Sequence, residues 1–303
     1  MNRRAFMRTT AAWTGAALLG QAESVEMPIA DTHVHFWDPK HLHYGWFKDS
    51  DLFDRPYLPA DYSGAIAPLL VERIVFVEAA CQADQWLDEV AWVTRLATED
   101  ARIQGIVAAA PLEEGEGIRT TLETLAENRL VRGVRRFHGD NEAIPDTFVQ
   151  GVRALAEFGL SCDVCVDHAK LPAVVTLVKR CPEVRFMLDH IGVPDLRGGD
   201  IDAWRQDIRT LSDMPNVWCK MSGVATAADH ERWTRDDVAP AIEHVLNCFG
   251  FDRTAFGSDW PVMLKATTFP RWVETLRVFV AGCSEAELRR LFHDTAVAFY
   301  ALG

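Results

Sequence analysis

Eight short β-rich segments recur along the chain, and each is followed by a longer segment with helical periodicity. The predicted strands cover residues 29–35, 73–79, 102–110, 131–137, 160–166, 184–190, 216–223 and 253–260. The segments between them, such as ADQWLDEVAWVTRLATED, carry apolar residues at positions i, i+3, i+4 and i+7. Because eight strand-then-helix units without a linker close into a barrel, the pattern predicts a single (β/α)8 TIM-type barrel over residues 23–303. A doubly wound open sheet is the alternative.

The first 22 residues, MNRRAFMRTTAAWTGAALLGQA, have a different character from the rest of the chain. Arg3, Arg4 and Arg8 precede a short apolar stretch, and small residues precede a cleavage position after Ala22. This pattern is typical of a twin-arginine export signal, and its ten apolar residues are too few to span a bilayer. We therefore expect residues 1–22 to be a signal peptide and the mature protein to be periplasmic or otherwise exported, or cytoplasmic if the signal does not function.

The net charge restricts the kind of partner that the protein can bind, and the cysteine spacing argues against a disulfide framework. The formal net charge of −13 disfavours nucleic acid and anionic membrane surfaces, so a small molecule is the expected partner. Seven cysteines are scattered along the chain rather than spaced as a disulfide framework. Cys162 and Cys165 form a C-x-x-C pair inside a predicted strand, where an extended backbone would place them on opposite faces.

The segment DTHVH at the end of the first predicted strand concentrates polar side chains. In an extended strand, Asp31, His33 and His35 would share one face, while Thr32 and Val34 would point to the other. Three polar groups are therefore expected to converge where the strand ends.

Other predicted strands end in the same way. Reactive side chains stand at or just beyond the ends of strands one, five, six and eight, namely His33, His35, His168, His190 and Asp259. Because the carboxyl ends of barrel strands open at one face, we expect these groups to form one site, with His168 as a substrate contact. The long connection over residues 36–70 would leave the same face as a lid or substrate wall, and its Trp37 and Trp46 are expected to contact substrate.

Five segments together resemble one protein family. DTHVHFWDP, GVRRFHGDNE, MLDHIGVPD, NVWCKMSG and AFGSDWPV are similar to the amidohydrolase superfamily, in particular its sugar-acid and pyrone lactonase branch. That branch includes L-rhamnono-lactonase, L-fucono-lactonase and pyrone dicarboxylate lactonase, and the similarity runs from about residue 28 to the C-terminus. The resemblance implies a hydrolase that opens a sugar-acid lactone to the free acid.

The resemblance also implies roles for the residues at the strand ends. His33, His35, His190 and Asp259 would hold one divalent metal ion, with zinc preferred, or the histidines would polarise the lactone carbonyl without a metal. Asp259 would act as the general base that activates water, with His190 as its catalytic partner.

Strand four departs from the binuclear members of the superfamily. It ends in Arg135, Arg136 and Phe137, where those members carry a modified lysine or a glutamate that bridges two metals. A two-metal site is therefore not expected. Arg135, Arg136 and the neighbouring His138 are expected to contact substrate, with one arginine forming paired hydrogen bonds to a carboxylate or ring oxygen, although an arginine at the rim could equally form a structural ion pair. Lys220 on strand seven would be either a substrate contact or a buried structural lysine.

Two other functions remain open from the sequence. Related barrels use the same four positions for metal-dependent decarboxylation of an aromatic or unsaturated acid. A non-catalytic protein that holds a sugar acid in the barrel mouth is the alternative from another class. A homodimer is a common assembly for such barrels and is also possible here.

Overall fold

Eight parallel strands follow one another in sequence order around a nearly closed barrel in the computed structural model, which describes residues 27–49 and 51–303. The strands are β1 (Ile29–Val34), β2 (Val71–Val77), β3 (Ile103–Ala108), β4 (Val131–Arg135), β5 (Ser161–Val164), β6 (Phe186–Leu188), β7 (Val217–Met221) and β8 (Thr254–Phe256). Beyond β8, the Asp259 N–H donates to the His33 carbonyl and the His35 N–H donates to the Trp260 carbonyl, each at 2.8 Å. These bonds join the last strand region to the first. The predicted barrel is confirmed and the open sheet is wrong, while the predicted signal lies outside the described residues.

Helices surround the strands and bury their apolar faces against them. They are α1 (Pro59–Ile66), α2 (Trp86–Glu99), α3 (Arg119–Glu127), α4 (Asp146–Glu157), α5 (Leu171–Arg180), α6 (Asp202–Ser212), α7 (Val224–Ala227), α8 (Arg235–Phe249), α9 (Phe269–Phe279), α10 (Glu285–Arg289) and α11 (Thr295–Tyr300). The apolar positions of α4, such as Val152 and Leu155, are fully buried, as its periodicity predicts. Among the residues that the structure describes, no helix has the length and apolar character needed to cross a membrane.

The barrel interior has an apolar layer towards the amino ends of the strands. Val75, Val107 and Met187 pack there against Phe299 and Tyr300 of α11, which closes that end. The polar groups of the interior therefore lie towards the opposite, carboxyl end, where barrel enzymes carry their sites.

The connection between β1 and β2 forms an aromatic wall over the mouth. The backbone of Trp37 pairs with that of Tyr57, and the short 3₁₀ helix Gly45–Asp49 lies between them in sequence. Trp37 packs edge-on against Phe53, Tyr57 and Trp46, with ring centroids 5.1–5.6 Å apart. Packed aromatic side chains thus hold in place a long segment that has little regular secondary structure, as expected for a substrate wall.

Candidate active site

Three imidazole rings face one carboxylate at the carboxyl end of the barrel. Oδ1 of Asp259 lies 3.4 Å from Nε2 of His35, 3.8 Å from Nε2 of His33 and 3.9 Å from Nε2 of His190. His33 and His35 come from the end of β1, His190 follows β6 and Asp259 follows β8. Four of the five groups predicted at or just beyond strand ends therefore converge on one point.

Unusual backbone conformations aim two of these side chains. Asp259 and His190 have φ angles of 65° and 52°, in the left-handed region that residues with a Cβ rarely adopt. Gly223, after β7, has a φ of 65°, and a Cβ at this position would lie 2.7 Å from the His190 ring. Glycine is required there because the His190 ring occupies the space that any side chain would fill.

The prediction that Asp31 shares a face with the two histidines is wrong. Its carboxylate instead accepts hydrogen bonds from the Tyr62 hydroxyl of α1 and from the Ser258 N–H, each at 2.8 Å. The physical reason is a shift in the β1–β2 register between Asp31 and Val34, which breaks the simple alternation. Burial raises the pKa of Asp31 to about 6, although these hydrogen bonds offset part of the effect.

The donor set fits a single divalent metal. Nδ1 of His35 lies 2.8 Å from the Val77 carbonyl oxygen, which only accepts, so Nδ1 carries the proton and Nε2 offers a lone pair. That lone pair faces a carboxylate oxygen of Asp259 at 3.4 Å, an arrangement that a cation between the two atoms would stabilise. Nitrogen and oxygen donors of His33, His35 and Asp259 lie within 4.8 Å of one another, and this set suits zinc.

Burial sets the protonation state of the other two rings. Desolvation lowers the pKa of His33 well below its usual value, and Lys220 lowers it further. Desolvation likewise lowers the pKa of His190, against the opposing effect of Asp259. Both rings are therefore neutral near pH 7 and can act as ligands or hydrogen-bond donors.

A cavity of about 370 Å³ opens above this cluster. Its lining consists of His35, His190 and Asp259 together with Trp46, Ala79, Ala80, Arg135 and Val262. The indole N–H of Trp46 donates to the Ala79 carbonyl at 2.8 Å, and this hydrogen bond fixes the orientation of the ring at the side of the cavity. The expectation that Trp46 stands beside the substrate is thus consistent with its position.

A second cavity, of about 450 Å³, adjoins the first and shares Arg135 with it. The Arg135 guanidinium donates from Nε to Glu78 Oε1 at 2.6 Å, and its Nη1 lies 3.5 Å from Nε2 of His33. Burial lowers the pKa of Arg135, but Glu78 more than offsets this and holds it above the usual range. Arg136 lines the second cavity and forms an ion pair with Glu113. Of the two arginines, Arg135 is the one beside the catalytic cluster.

Four predicted substrate contacts lie elsewhere. Trp37 is fully buried, with its indole N–H donating to the Arg55 carbonyl at 2.9 Å, so it has no surface left for a ligand. Lys220 is also fully buried. Desolvation lowers its pKa, but the charge of Asp163 more than offsets this and raises it. Lys220 is therefore a buried structural lysine rather than a substrate contact. The expectation of a substrate contact is therefore wrong for Trp37, and of the two alternatives for Lys220 the structural one holds, because the depth of a side chain is not visible in the sequence.

His138 and His168 also stand outside the two mouth cavities. The exposed His138 lies with its ring centroid 6.1 Å from that of Phe148. Nδ1 of the half-buried His168 lies 3.2 Å from the Val193 carbonyl oxygen. Neither residue lines the cavities described above, so neither expectation of a substrate contact is met in this structure.

Glu78 is a mouth residue that the sequence reasoning missed. It directly follows β2 and lines the second cavity, so the strand-end rule that found the histidines could have found it. Of the C-x-x-C pair, Cys162 is buried in β5, whereas Cys165 lies just beyond the end of that strand and lines the second cavity; neither forms a disulfide.

The fold and the site define a class of protein: a (β/α)8 barrel that carries a cluster of three histidines and an aspartate at the carboxyl ends of its strands, the end where barrel enzymes carry their active sites. The chain belongs to the amidohydrolase family, whose model matches residues 30–302.

Relatives and solved structures agree with this assignment. L-Fucono-1,5-lactonase of Burkholderia multivorans (strain ATCC 17616 / 249) is 32% identical over 296 residues, which cover 90% of this chain and 95% of that protein. The 4-sulfomuconolactone hydrolase of Rhizobium radiobacter is 25% identical over 237 residues, covering 76% of this chain and 75% of that protein. A crystal structure of an amidohydrolase from Burkholderia multivorans with bound zinc is 28% identical, with a TM-score of 0.80 over 91% of this chain and 99% of that one.

Proposed function

We propose that this enzyme hydrolyses a sugar-acid lactone, an aldono-lactone, to the free acid. The observation that carries the proposal is the convergence of three imidazoles on the Asp259 carboxylate beneath a cavity large enough for a sugar ring. The lactonase names of two relatives support a cyclic ester as the substrate class.

In this proposal, Asp259 acts as the general base. Its carboxylate lines the cavity and is the common neighbour of the three rings. A water molecule at this carboxylate gives its proton to Asp259 while its oxygen attacks the lactone carbonyl carbon. When the ring C–O bond breaks, Asp259 returns the proton to the leaving alkoxide, so that one water is consumed and one hydroxy acid is formed.

The histidines polarise the carbonyl and stabilise the charge that develops on its oxygen. His33 is buried and His190 is half-buried, and burial lowers the pKa of both rings, so a hydrogen bond donated from either ring is strengthened by the low local dielectric. When held by His33, His35 and Asp259, a divalent ion such as zinc supplies Lewis-acid polarisation of the same carbonyl.

Arg135 and Trp46 would orient the sugar ring. The Arg135 guanidinium offers N–H donors in a fixed plane beside His33, and Glu78 holds it in place. Trp46 presents an aromatic face to the cavity, a surface that suits the C–H face of a sugar.

The test is acid release, followed with a pH indicator, from a panel of five- and six-membered aldono-lactones by the purified chain without residues 1–22. The assay is run after chelation, and again with added zinc. Turnover of at least one aldono-lactone supports the proposal. Release of carbon dioxide from an aromatic or unsaturated acid, with no lactone opened, would replace it with a decarboxylase. A retained sugar acid without turnover would indicate a binding protein.

A further inference from the structure

A buried carboxyl group lies behind the wall of the first cavity, apart from the groups of the proposed chemistry. Glu89 of α2 is buried, and its Oε1 accepts a hydrogen bond from the backbone N–H of Ala79 at 3.1 Å. Ala79 follows β2 by two residues and lines the cavity. Because burying a polar group is costly, an apolar residue would be more favourable at this position of α2 unless the hydrogen bond has a role.

The same residue of the wall also fixes an aromatic side chain. The Ala79 carbonyl accepts the indole N–H of Trp46, which belongs to the 3₁₀ helix Gly45–Asp49 and stands 33 positions earlier in the chain. Glu89 and Trp46 therefore bind Ala79 from its two sides, one through the N–H and the other through the carbonyl. The orientation of the Trp46 ring thus depends on where Ala79 is held.

The backbone around Ala79 has an unusual conformation that needs such contacts. Ala80 has a φ of 55°, in the left-handed region that residues with a Cβ rarely adopt. Oε2 of Glu78 accepts the Ala80 N–H at 2.7 Å, and Arg135 donates to the Glu78 carbonyl at 2.7 Å. These bonds hold the residues on either side of Ala79, while Glu89 holds Ala79 itself. Without Glu89, a buried N–H would lack its acceptor and the wall would be expected to shift.

Glu89 makes this hydrogen bond as a neutral group near pH 7. Burial, followed by the charge of Glu78, raises its pKa to about 8. A glutamine has the same length and an oxygen that accepts the same hydrogen bond. An aspartate keeps the carboxyl group but is one methylene shorter, so its oxygen would fall short of the Ala79 N–H.

We propose that Glu89 is a positioning residue for substrate binding, which fixes the Trp46 ring at the side of the cavity through the backbone of Ala79. This inference deepens the proposed function and rests on it for the nature of the substrate, a sugar ring that contacts Trp46. Glu89 is not among the residues that line either mouth cavity, so it acts through Ala79 rather than on the substrate itself.

The proposed role concerns binding more than the chemical step. The histidines and the aspartate of the catalytic cluster come from the ends of β1, β6 and β8, whereas Ala79 follows β2. Val77, whose carbonyl accepts from His35, pairs with Val107 in the β2–β3 ladder and is held independently of Glu89. A displaced Trp46 should therefore change KM and leave kcat nearly unchanged.

Steady-state kinetics on the best lactone test this split. Glu89→Met keeps the length of the side chain but removes the acceptor, so we expect KM to rise about tenfold with kcat within about twofold. Glu89→Gln keeps the acceptor and should restore KM to within about twofold of the unmodified enzyme. Val90→Ala, at the next buried position of α2, is the matched control for lost packing and should leave KM unchanged. An unchanged KM in Glu89→Met, or an equal rise in Glu89→Gln, would overturn the proposal.

A double-mutant cycle tests whether the effect passes through Trp46. Trp46→Phe removes the indole N–H, so in that background Glu89→Met should raise KM by less than about twofold. A full tenfold rise in the Trp46→Phe background would contradict the proposal. Glu89→Asp replaces Glu89→Met if the latter does not fold: we expect the same rise in KM, and an unchanged KM would count against the role of Glu89.

A further measurement needs no substrate. In tryptophan-¹⁵N-labelled protein, the Trp46 indole N–H signal is assigned by its loss in the Trp46→Phe variant. We expect this N–H to exchange with solvent about tenfold faster in Glu89→Met than in Val90→Ala. Equal exchange rates in the two variants would refute the positioning role. Faster exchange in a protein that opens no lactone in the acid-release assay would support the positioning role and reject the proposed substrate, so the two failures are distinguishable.

Discussion

Nε2 of His35 faces Oδ1 of Asp259 at 3.4 Å, and both atoms carry lone pairs because the other ring nitrogen of His35 donates to the Val77 carbonyl. Without a cation or a proton between them, the two atoms repel each other. This relationship makes the pair a site that accepts either a divalent ion or a proton taken from water. The same geometry thus suits both the binding of a divalent ion and the proposed general-base catalysis.

Replacement of the proposed base tests its role directly. Asp259→Asn keeps the size of the side chain but cannot take a proton, so we expect kcat for the lactone to fall by about 10³-fold or more while the melting temperature stays close to that of the unmodified enzyme. The matched control is Asp207→Asn on α6, outside the mouth, which should retain full activity. An Asp259→Asn variant that keeps more than a few per cent of kcat would remove Asp259 from the mechanism.

Arg135 and Arg136 are neighbours in sequence, but we expect substitutions at the two positions to have different effects on KM. Arg135→Lys loses the planar donor set beside His33, so we expect KM to rise about tenfold with a smaller change in kcat. Arg136→Lys is the matched control, because Arg136 forms its ion pair with Glu113 in the adjoining cavity. Steady-state kinetics on the best lactone would measure both, and equal changes in KM would contradict the assignment of Arg135 to substrate binding.

A substitution at Gly223 tests whether the position of the His190 ring matters for activity. A Cβ at this position would lie 2.7 Å from the His190 ring, and the φ of 65° adds backbone strain. We expect Gly223→Ala to lower the free energy of unfolding by about 1–3 kcal/mol and to reduce kcat by displacing the ring. Gly250→Ala, with a similar φ of 66° but open space around its Cβ, is the control for strain alone. Equal losses of kcat in both variants would argue against a role for the His190 contact.

The buried carboxyl of Glu89 on α2 is expected to make the free energy of unfolding depend on pH. Burial, followed by the charge of Glu78, raises the pKa of Glu89 to about 8 from its ordinary value of 4.5. Because the folded state favours the protonated carboxyl, this group contributes full stability below about pH 4.5. The contribution is lost as the pH rises to about 8, with a maximum slope of about 1.4 kcal/mol per pH unit.

Urea unfolding between pH 5 and pH 8.5 would measure this effect. We expect Glu89→Gln to flatten the fall in the free energy of unfolding and to exceed the unmodified enzyme in stability at the alkaline end. Glu99→Gln, at the exposed end of the same helix, should leave the pH profile unchanged. Parallel profiles for the Glu89→Gln variant and the unmodified enzyme would mean that Glu89 is ionised in the folded state throughout this range.

The sequence by itself determined the barrel and the four groups at its mouth. Short β-rich runs marked all eight strands, and helical periodicity marked the segments between them, because these local patterns reflect how each element is buried. His33, His35, His190 and Asp259 could be identified because the carboxyl ends of parallel barrel strands meet at one face whatever the details of packing.

Tertiary structure alone decided which nearby polar and aromatic side chains reach that face. The register shift in β1 turns Asp31 towards Tyr62, and the aromatic wall buries Trp37 completely. Lys220 points into the barrel, as expected from its position in β7. It lies so deep beneath His33, however, that it contacts the carboxylates of Asp163 and Asp189 rather than the cavity. Depth, register and backbone angle depend on contacts between residues far apart in sequence, which no local pattern encodes.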